Sequence, residues 1–312
     1  MTKHFSSQIS SGIWPTMITP FSANGTIDYE GLEYLIEWYI REQVSGLFAV
    51  CQSSEMFFLT RDERRQLAEA VVRFVDGRIP VIASGHISES IDEQIRDITE
   101  IGSTGVNAVV LVSNRLLPQG EKETLWYTNI DYVLKHIPEN IQLGIYECPY
   151  PYKHVLTKKM LYYLDQSERF TFLKDTISVP ASIKYRASLE LSNLKLFNAN
   201  SATLLSSLRL GYAGFSGIMA NFHPRLYHWL WVNHSKKLEK LDHLQHFLSL
   251  ASMIEAYGYP LNAKVYLNMF EGLPIYPTQR ANESKKLPHS VSPLLAQLKK
   301  QSDYWLEKIS GG

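Results

Sequence analysis

Residues 46–86 read GLFAVCQSSEMFFLTRDERRQLAEAVVRFVDGRIPVIASGH, and this stretch indicates the fold. The apolar runs GLFAVCQ and PVIASGH are typical of buried strands, and the segment TRDERRQLAEAVVRFV between them has the period of a helix. Thr60 and Glu63 fit a capping box at the start of that helix. The order strand, helix, strand predicts parallel pairing through a helical crossover.

The same pattern repeats along most of the chain. Six further apolar runs predict strands: TMITPF, NAVVLVS, QLGIYEC, FTFLKDT, LKLFNAN and AGFSGIM. Eight strands alternating with helices favour a closed (β/α)₈ TIM barrel over an open doubly wound sheet. No glycine-rich nucleotide-binding motif follows any of the runs, which also counts against an open nucleotide-binding sheet.

The alternation stops near His223, and only helical patterns follow it. We therefore predict two parts, a catalytic barrel over residues 1–222 and a C-terminal helical extension over residues 223–312. No linker rich in glycine or serine separates them, so we expect the extension to pack on the barrel.

Composition excludes several classes of function. The 312 residues contain 31 lysines plus arginines and 31 aspartates plus glutamates, which gives no support for a nucleic-acid or membrane-surface partner. The N-terminus lacks the apolar core of a signal peptide, and the two cysteines, Cys51 and Cys148, suit the cytoplasm. His243 and His246 lie three residues apart, but no third ligand pattern follows. We therefore expect no metal and no organic cofactor.

A lysine interrupts the sixth predicted strand. In FTFLKDT, strand alternation places Phe170, Phe172 and Lys174 on one face. Lys174 has two interpretations. It lies at a strand end and reaches water or a carboxylate, or it is kept partly desolvated so that its neutral amine attacks a carbonyl.

Barrel enzymes carry their chemistry at the C-terminal ends of the strands. Those ends bring together Lys174 from strand six, Tyr146 from strand five, and Gln52 and Ser53 from strand two. A neutral amine forms a Schiff base with a 2-oxo acid, and the protonated imine withdraws electrons from the adjacent carbon–carbon bond. A phenol nearby can shuttle the protons, while hydroxyls and backbone N–H groups can hold the carboxylate.

Several segments together resemble the N-acetylneuraminate lyase and dihydrodipicolinate synthase family of pyruvate-dependent class I aldolases. These segments are GIWPTMITPF, CQSSEMFFLTRDER, YECP, FLKDT and GYAGFSGIMANFHP. The resemblance implies a TIM barrel, Lys174 as the imine-forming residue, Tyr146 as the proton shuttle, and Gln52 and Ser53 at the pyruvate carboxylate. It also implies a homo-oligomer, either a tetramer or a dimer.

We also expect a substrate contact for Ser216, in the glycine-rich eighth strand. Two other polar residues have more than one interpretation. Arg115 either recognises an acidic or hydroxylated substrate tail or is a solvated loop residue. Glu55 precedes a helix, and this position favours structural hydrogen bonding over ligand contact.

The chain departs from the family pattern at three places. Gln52 takes the position of the first threonine in the family loop. Arg115 and Leu116 lie where the family often has a pair of tyrosines, and Pro151 lies where the synthase branch has an arginine for its second substrate. These changes argue against dihydrodipicolinate synthesis.

We therefore predict a lyase or aldolase that forms a Schiff base and releases pyruvate from a 2-oxo-3-deoxy sugar acid or a related 4-hydroxy-2-oxo acid. The alternatives are a sugar-acid dehydratase that uses the same imine and dihydrodipicolinate synthase. An alternative of another class is a drifted sensor that binds an oxo acid with little turnover.

Overall fold

A computed structural model describes residues 9–281 and 286–310. Within these ranges, eight strands form one sheet in which all neighbouring pairs are parallel. The strands are β1 (Gly12–Ile13), β2 (Leu47–Ala49), β3 (Val81–Ala83), β4 (Ala108–Val112), β5 (Leu143–Tyr146), β6 (Phe170–Asp175), β7 (Lys195–Asn198) and β8 (Gly214–Phe215). The helices are α1 (Tyr29–Arg41), α2 (Arg61–Val75), α3 (Ile91–Gly102), α4 (Glu123–His136), α5 (Lys158–Gln166), α6 (Pro180–Ala187), α7 (Leu204–Arg209), α8 (Pro224–Asn233), α9 (Glu239–Ala251), α10 (Leu261–Phe270) and α11 (Val291–Ser310).

The sheet closes into a barrel. Its strand order is β1-β8-β7-β6-β5-β4-β3-β2, and a parallel bridge between Thr16 and Phe48 joins the chain just after β1 to β2. The amide of Met17 donates to the carbonyl of Phe48 at 2.9 Å, and the amide of Phe48 donates to the carbonyl of Pro15 at 3.0 Å. The predicted TIM barrel is confirmed.

The first and last strands differ from their predicted positions. The first strand lies at Gly12–Ile13, before the predicted run TMITPF, of which only Thr16 bridges to a neighbouring barrel strand. Pro15 precedes this run and Pro20 lies within it, and proline has no N–H to donate to a ladder. The eighth strand ends at Phe215, because residues Ile218–Asn221 form a 3₁₀ turn.

The start of α2 follows the predicted capping box. The side chain of Thr60 accepts a hydrogen bond from the amide of Glu63, and the Glu63 carboxylate accepts one from the amide of Thr60 at 2.8 Å. This reciprocal pair satisfies two N–H groups that the helix itself leaves without acceptors. It also fixes where the loop after β2 ends.

Aromatic side chains fill the barrel interior. The rings of Phe172 and Phe197 stack with centroids 4.3 Å apart, and Trp14 and Phe48 meet Phe172 edge to face. All four side chains are fully buried. The barrel interior is therefore a packed core and not a pore.

The chain after β8 is helical and packs on the barrel. Helix α8 contacts β1, and α9 contacts the 3₁₀ turn Ser201–Thr203. The side chain of Gln245 in α9 accepts from the amide of Leu205 at 2.8 Å and donates to the carbonyl of Ser201 at 2.7 Å. Within the described residues, no helix has the length and apolarity needed to cross a membrane. The division at residues 222 and 223 stays a prediction.

Candidate active site

A cavity of about 410 Å³ lies at the C-terminal ends of the strands. Four predicted site residues line it: Lys174, Tyr146, Gln52 and Ser53. The other lining residues are Glu55, Phe57, Phe58, Pro149, Tyr150, Thr176, Ala199, Asn200, Gly217, Ile218, Tyr259, Pro260 and Ala281. The sequence therefore located the strand-end part of the cavity, and the C-terminal region supplies the rest of its wall.

Lys174 is buried in this wall. Only 5% of the residue is exposed, and no carboxylate in the described part of the chain forms an ion pair with it. Its Nζ lies 4.3 Å from the centre of the Tyr146 ring and 5.9 Å from that of Phe48. Burial lowers the pKa of the Lys174 amine from its ordinary value, because a desolvated ammonium is disfavoured. Lys174 thus borders the cavity without an ion-pair partner among the described residues, and its role as the attacking amine stays a prediction.

Tyr146 and Gln52 meet across the cavity. The Tyr146 hydroxyl donates to Oε1 of Gln52 at 2.9 Å, and the Cys148 thiol approaches the same oxygen at 3.5 Å. Burial raises the pKa of the Tyr146 phenol well above its ordinary value. The phenol is therefore neutral at physiological pH, and Gln52 holds its O–H in one direction.

The loop after β2 is a tight turn held from several sides. Residues Gln52–Ser54 form a single 3₁₀ turn. The hydroxyl of Ser53 donates to Thr16 at 3.1 Å, and that of Ser54 donates to the carbonyl of Met17 at 2.7 Å. These bonds to the chain after β1 fix the turn that carries Gln52 and Ser53 into the cavity wall.

Glu55 anchors the C-terminal region at the cavity. This residue has a positive φ of 61° and is buried. Its carboxylate pairs with Nζ of Lys264 at 2.7 Å and accepts from the amides of Arg280 and Ala281 at 2.6 and 2.8 Å. The Glu55 carboxylate is therefore occupied by an ion pair and two backbone amides, as expected for a structural role.

Two predicted site residues lie outside the cavity lining. The guanidinium carbon of Arg115 lies 5.7 Å from the centre of the Phe57 ring, and an Nη lies 3.9 Å from the carboxylate of Glu89. Arg115 therefore lies next to Phe57, which lines the cavity, and does not line the cavity itself. Ser216 is fully buried, its hydroxyl has no hydrogen-bond partner among the described residues, and its neighbour Gly217 lines the cavity instead. Contact of either residue with substrate stays a prediction.

No second cation reaches the cavity from helix α6. Arg186 is buried, where it pairs with Glu147 at 2.5 Å and with Asp175 at 3.1 Å. Glu147 directly follows β5 and also accepts from the amide of Leu156 at 2.8 Å. Arg186 therefore does not replace the arginine that is absent at Pro151.

Sequence reasoning missed two groups from the C-terminal region. Tyr259 lines the cavity, and Glu255 interacts electrostatically with Lys174. Burial raises the pKa of the Glu255 carboxyl to about 7, and the charge of Lys174 acts in the opposite direction. The turn sequence YGYP, which ends at Pro260, was the available signal. This turn lies in a region of helical patterns, where a tyrosine usually packs in the core, so Tyr259 was not predicted to line the cavity.

The model of the dihydrodipicolinate synthetase family matches residues 9–281. The chain belongs to this family. Its members are class I pyruvate-dependent aldolases and lyases that form a Schiff base with a lysine. The chain is therefore an enzyme of this type, which confirms the predicted class.

Relatives and solved structures agree with this membership. A 4-hydroxy-tetrahydrodipicolinate synthase of Methanococcus maripaludis is 30% identical over 221 residues, 69% of this chain and 72% of the relative. One of Cereibacter sphaeroides is 32% identical over 216 residues, with the same coverage. A monomeric dihydrodipicolinate synthase variant superposes with a TM-score of 0.85 at 20% identity, over 97% of this chain and 99% of its own. A family member from E. coli K12 in complex with pyruvate gives 0.82 at 21% identity, over 94% and 98%. The two structures share the fold.

Proposed function

We propose that Lys174 forms a Schiff base with a 2-oxo acid and that the enzyme releases pyruvate from a neutral-tailed 4-hydroxy-2-oxo acid, such as a 2-oxo-3-deoxy sugar acid. One observation carries the proposal. Lys174 is a buried amine without a carboxylate partner among the described residues, and it faces a cavity beside a neutral phenol. Burial favours the uncharged amine, which is the form that attacks a carbonyl.

The bond changes follow from this pair of residues. The Lys174 amine adds to the C2 carbonyl of the oxo acid, and loss of water from the carbinolamine gives a protonated imine. A base takes the proton of the C4 hydroxyl, the C3–C4 bond breaks so that C4 leaves as the carbonyl carbon of an aldehyde, and the electron pair of the broken bond moves into the imine to give an enamine. Protonation at C3 and hydrolysis then release pyruvate and restore the amine. Tyr146 is the proton carrier in this scheme, since its phenol lies beside the amine.

We assign the carboxylate of the oxo acid to the loop of Gln52 and Ser53. The Oε1 of Gln52 accepts from Tyr146, which leaves the amide NH₂ to donate to a ligand. The backbone N–H groups at the start of a one-turn helix have no acceptor within it. Such neutral donors suit a carboxylate.

The cavity wall supports a substrate tail without charge. Among the described residues that line it, Lys174 is the only lysine or arginine, and the Glu55 carboxylate already binds Lys264 and two amides. Thr176 and Asn200 offer a hydroxyl and an amide to substrate hydroxyls. A second carboxylate in the substrate would meet no cation here, at a cost of about 1.5–3 kcal/mol relative to a charge-assisted pair.

The names of the relatives favour a second candidate, 4-hydroxy-tetrahydrodipicolinate synthase. For this candidate we take the reaction to be the condensation of pyruvate with aspartate semialdehyde. The two functions are separated by measuring kcat/KM on one preparation, for pyruvate release from a panel of neutral-tailed 2-oxo-3-deoxy sugar acids and for the condensation. We expect the cleavage to be favoured by about 10-fold or more. A condensation value of about 10⁴ M⁻¹s⁻¹ or more would establish the synthase instead.

We also propose a cytoplasmic homo-oligomer, a dimer or tetramer. Both cysteines, Cys51 and Cys148, are free and buried, which suits a reducing compartment. Light scattering of the purified enzyme tests the assembly, and a monomeric mass at micromolar concentration would contradict it.

A further inference from the structure

A segment of the C-terminal region enters the mouth of the barrel. It runs from the 3₁₀ turn Ser252–Ala256 to the start of α10, and it places Tyr259 and Pro260 in the cavity wall. Gly258 has a φ of +86°, a conformation that side chains rarely adopt, and it lets the chain turn just before Tyr259. Asn262 in α10 donates to the carbonyl of Ile254 at 2.8 Å, which ties the two ends of the segment together. The backbone turn and this hydrogen bond therefore determine where Tyr259 lies.

A buried amide holds the Tyr259 oxygen. Asn221 is fully buried, and its Nδ2 group lies within hydrogen-bond distance of the Tyr259 oxygen at 3.0 Å, the carbonyl of Thr16 at 2.9 Å and the carbonyl of Ile218 at 2.8 Å. On its other side, the Asn221 carbonyl accepts from the hydroxyl of Tyr39. Because the Tyr259 oxygen already accepts a hydrogen bond from Asn221, its own O–H remains to donate elsewhere.

The Tyr259 hydroxyl lies on the side of Ser53. Burial raises the pKa of the Tyr259 phenol well above its ordinary value, and the hydrogen bond with the Ser53 side chain acts in the opposite direction. The phenol is therefore neutral at physiological pH and can donate a proton to an acceptor. Ser53 and Tyr259 both line the wall that Lys174 also lines, and the Ser53 hydroxyl donates to Thr16, so the Tyr259 hydroxyl is the donor that remains for a ligand.

A 2-oxo acid bound to Lys174 needs donors of this kind. Its carboxylate is bonded directly to the carbon that forms the imine, so it stays within the same cavity. Among the described lining residues, Lys174 is the only lysine or arginine, and in the adduct its nitrogen is bonded to that carbon. The carboxylate must therefore be held by neutral donors, and each such bond to a charged group is stronger than one between neutral groups.

We propose that the Tyr259 hydroxyl binds the carboxylate of the 2-oxo acid together with Ser53, so that the C-terminal region supplies part of the substrate site. This inference rests on the proposed imine at Lys174. It gives Tyr259 a role in substrate binding, beyond packing at the cavity wall. The same network provides a matched control, because Tyr39 bonds to Asn221 from the other side and does not line the cavity.

The test measures borohydride trapping of the imine as a function of pyruvate concentration, in wild type, Tyr259→Phe and Tyr39→Phe. Both substitutions remove one hydroxyl and keep the ring. We expect Tyr259→Phe to raise the half-saturating pyruvate concentration by about 10-fold or more, with the same final extent of trapping. Tyr39→Phe should stay within about twofold of wild type.

Methyl pyruvate provides a second readout, because it keeps the ketone and lacks the charge. If Tyr259 binds the carboxylate, Tyr259→Phe changes the half-saturating concentration of methyl pyruvate far less than that of pyruvate. Equal shifts for both compounds, equal shifts in both variants, or a Tyr259→Phe value within twofold of wild type would each overturn the inference. A wild-type enzyme that pyruvate and borohydride do not modify would instead contradict the proposed imine itself.

Discussion

Lys174 and Tyr146 are register partners on the adjacent parallel strands β6 and β5, with the Lys174 Nζ 4.3 Å from the centre of the Tyr146 ring. Side chains at paired positions of neighbouring strands point to the same face of the sheet, so the barrel itself brings them together. The Tyr146 hydroxyl is held by Gln52 at 2.9 Å. The barrel thus fixes an amine and a phenol beside each other at the mouth.

Removal of the Tyr146 hydroxyl should slow turnover and leave the fold intact. Tyr146→Phe keeps the ring that packs against Lys174 and Phe48. A positioned proton carrier contributes about 10²–10⁴ in rate, so we expect kcat for pyruvate release to fall by that factor. Thermal unfolding serves as the control and should change little. A kcat within about threefold of wild type would show that Tyr146 only packs.

Loss of the buried ion pair between Glu55 and Lys264 should lower the free energy of unfolding strongly. Glu55→Gln leaves the Lys264 ammonium buried without its counter-charge, which typically costs about 3–5 kcal/mol. Urea unfolding measures this loss. Glu37→Gln is the control, since Glu37 pairs with Arg78 at the surface, where such pairs contribute about 0–1 kcal/mol.

A second variant separates the charge from the contacts. If the loss in Glu55→Gln comes from the unpaired ammonium, the double variant Glu55→Gln with Lys264→Met should recover part of it. Equal stability losses in the single and double variants would assign the effect to the bonds from Glu55 to the Arg280 and Ala281 amides instead.

Glu255 should make the protein less stable as pH rises. Its pKa in the folded protein is about 7, above the ordinary value of 4.5, so the folded state binds more protons than the unfolded state between these values. The contribution of the neutral carboxyl to stability is complete below pH 4.5 and is lost as pH rises through 7. One pKa unit corresponds to about 1.4 kcal/mol, which limits the effect to about 3 kcal/mol.

Glu255→Gln removes this titration. We expect the variant to gain stability over wild type at pH 8 and to gain far less at pH 5, as measured by urea unfolding at both values. Glu239→Gln, a change at an exposed carboxylate, should show no such difference. Parallel pH profiles for wild type and Glu255→Gln would contradict the raised pKa.

The alternation of strands and helices predicted the barrel because each element repeats a local pattern. The same alternation along β6 placed Lys174 with Phe172, and both are buried. Positions that depend on contacts between distant parts of the chain could not be predicted from local patterns. Tyr259 follows β2 by about 200 residues, and the turn at Gly258 and the bond from Asn221 hold it in the cavity wall that Ser53 also lines. The position of Arg115 next to Phe57 likewise depends on packing that no local pattern records.

The central claim, an imine at Lys174, is tested most directly by adding pyruvate and borohydride to the enzyme and locating the modified residue by peptide mass spectrometry. Lys264 is an internal control, since it is also buried but is paired with Glu55. The account predicts one adduct, on the peptide that contains Lys174, and none in a folded Lys174→Ala variant, which should also lack turnover. An adduct at another lysine, or trapping that persists in Lys174→Ala, would contradict it.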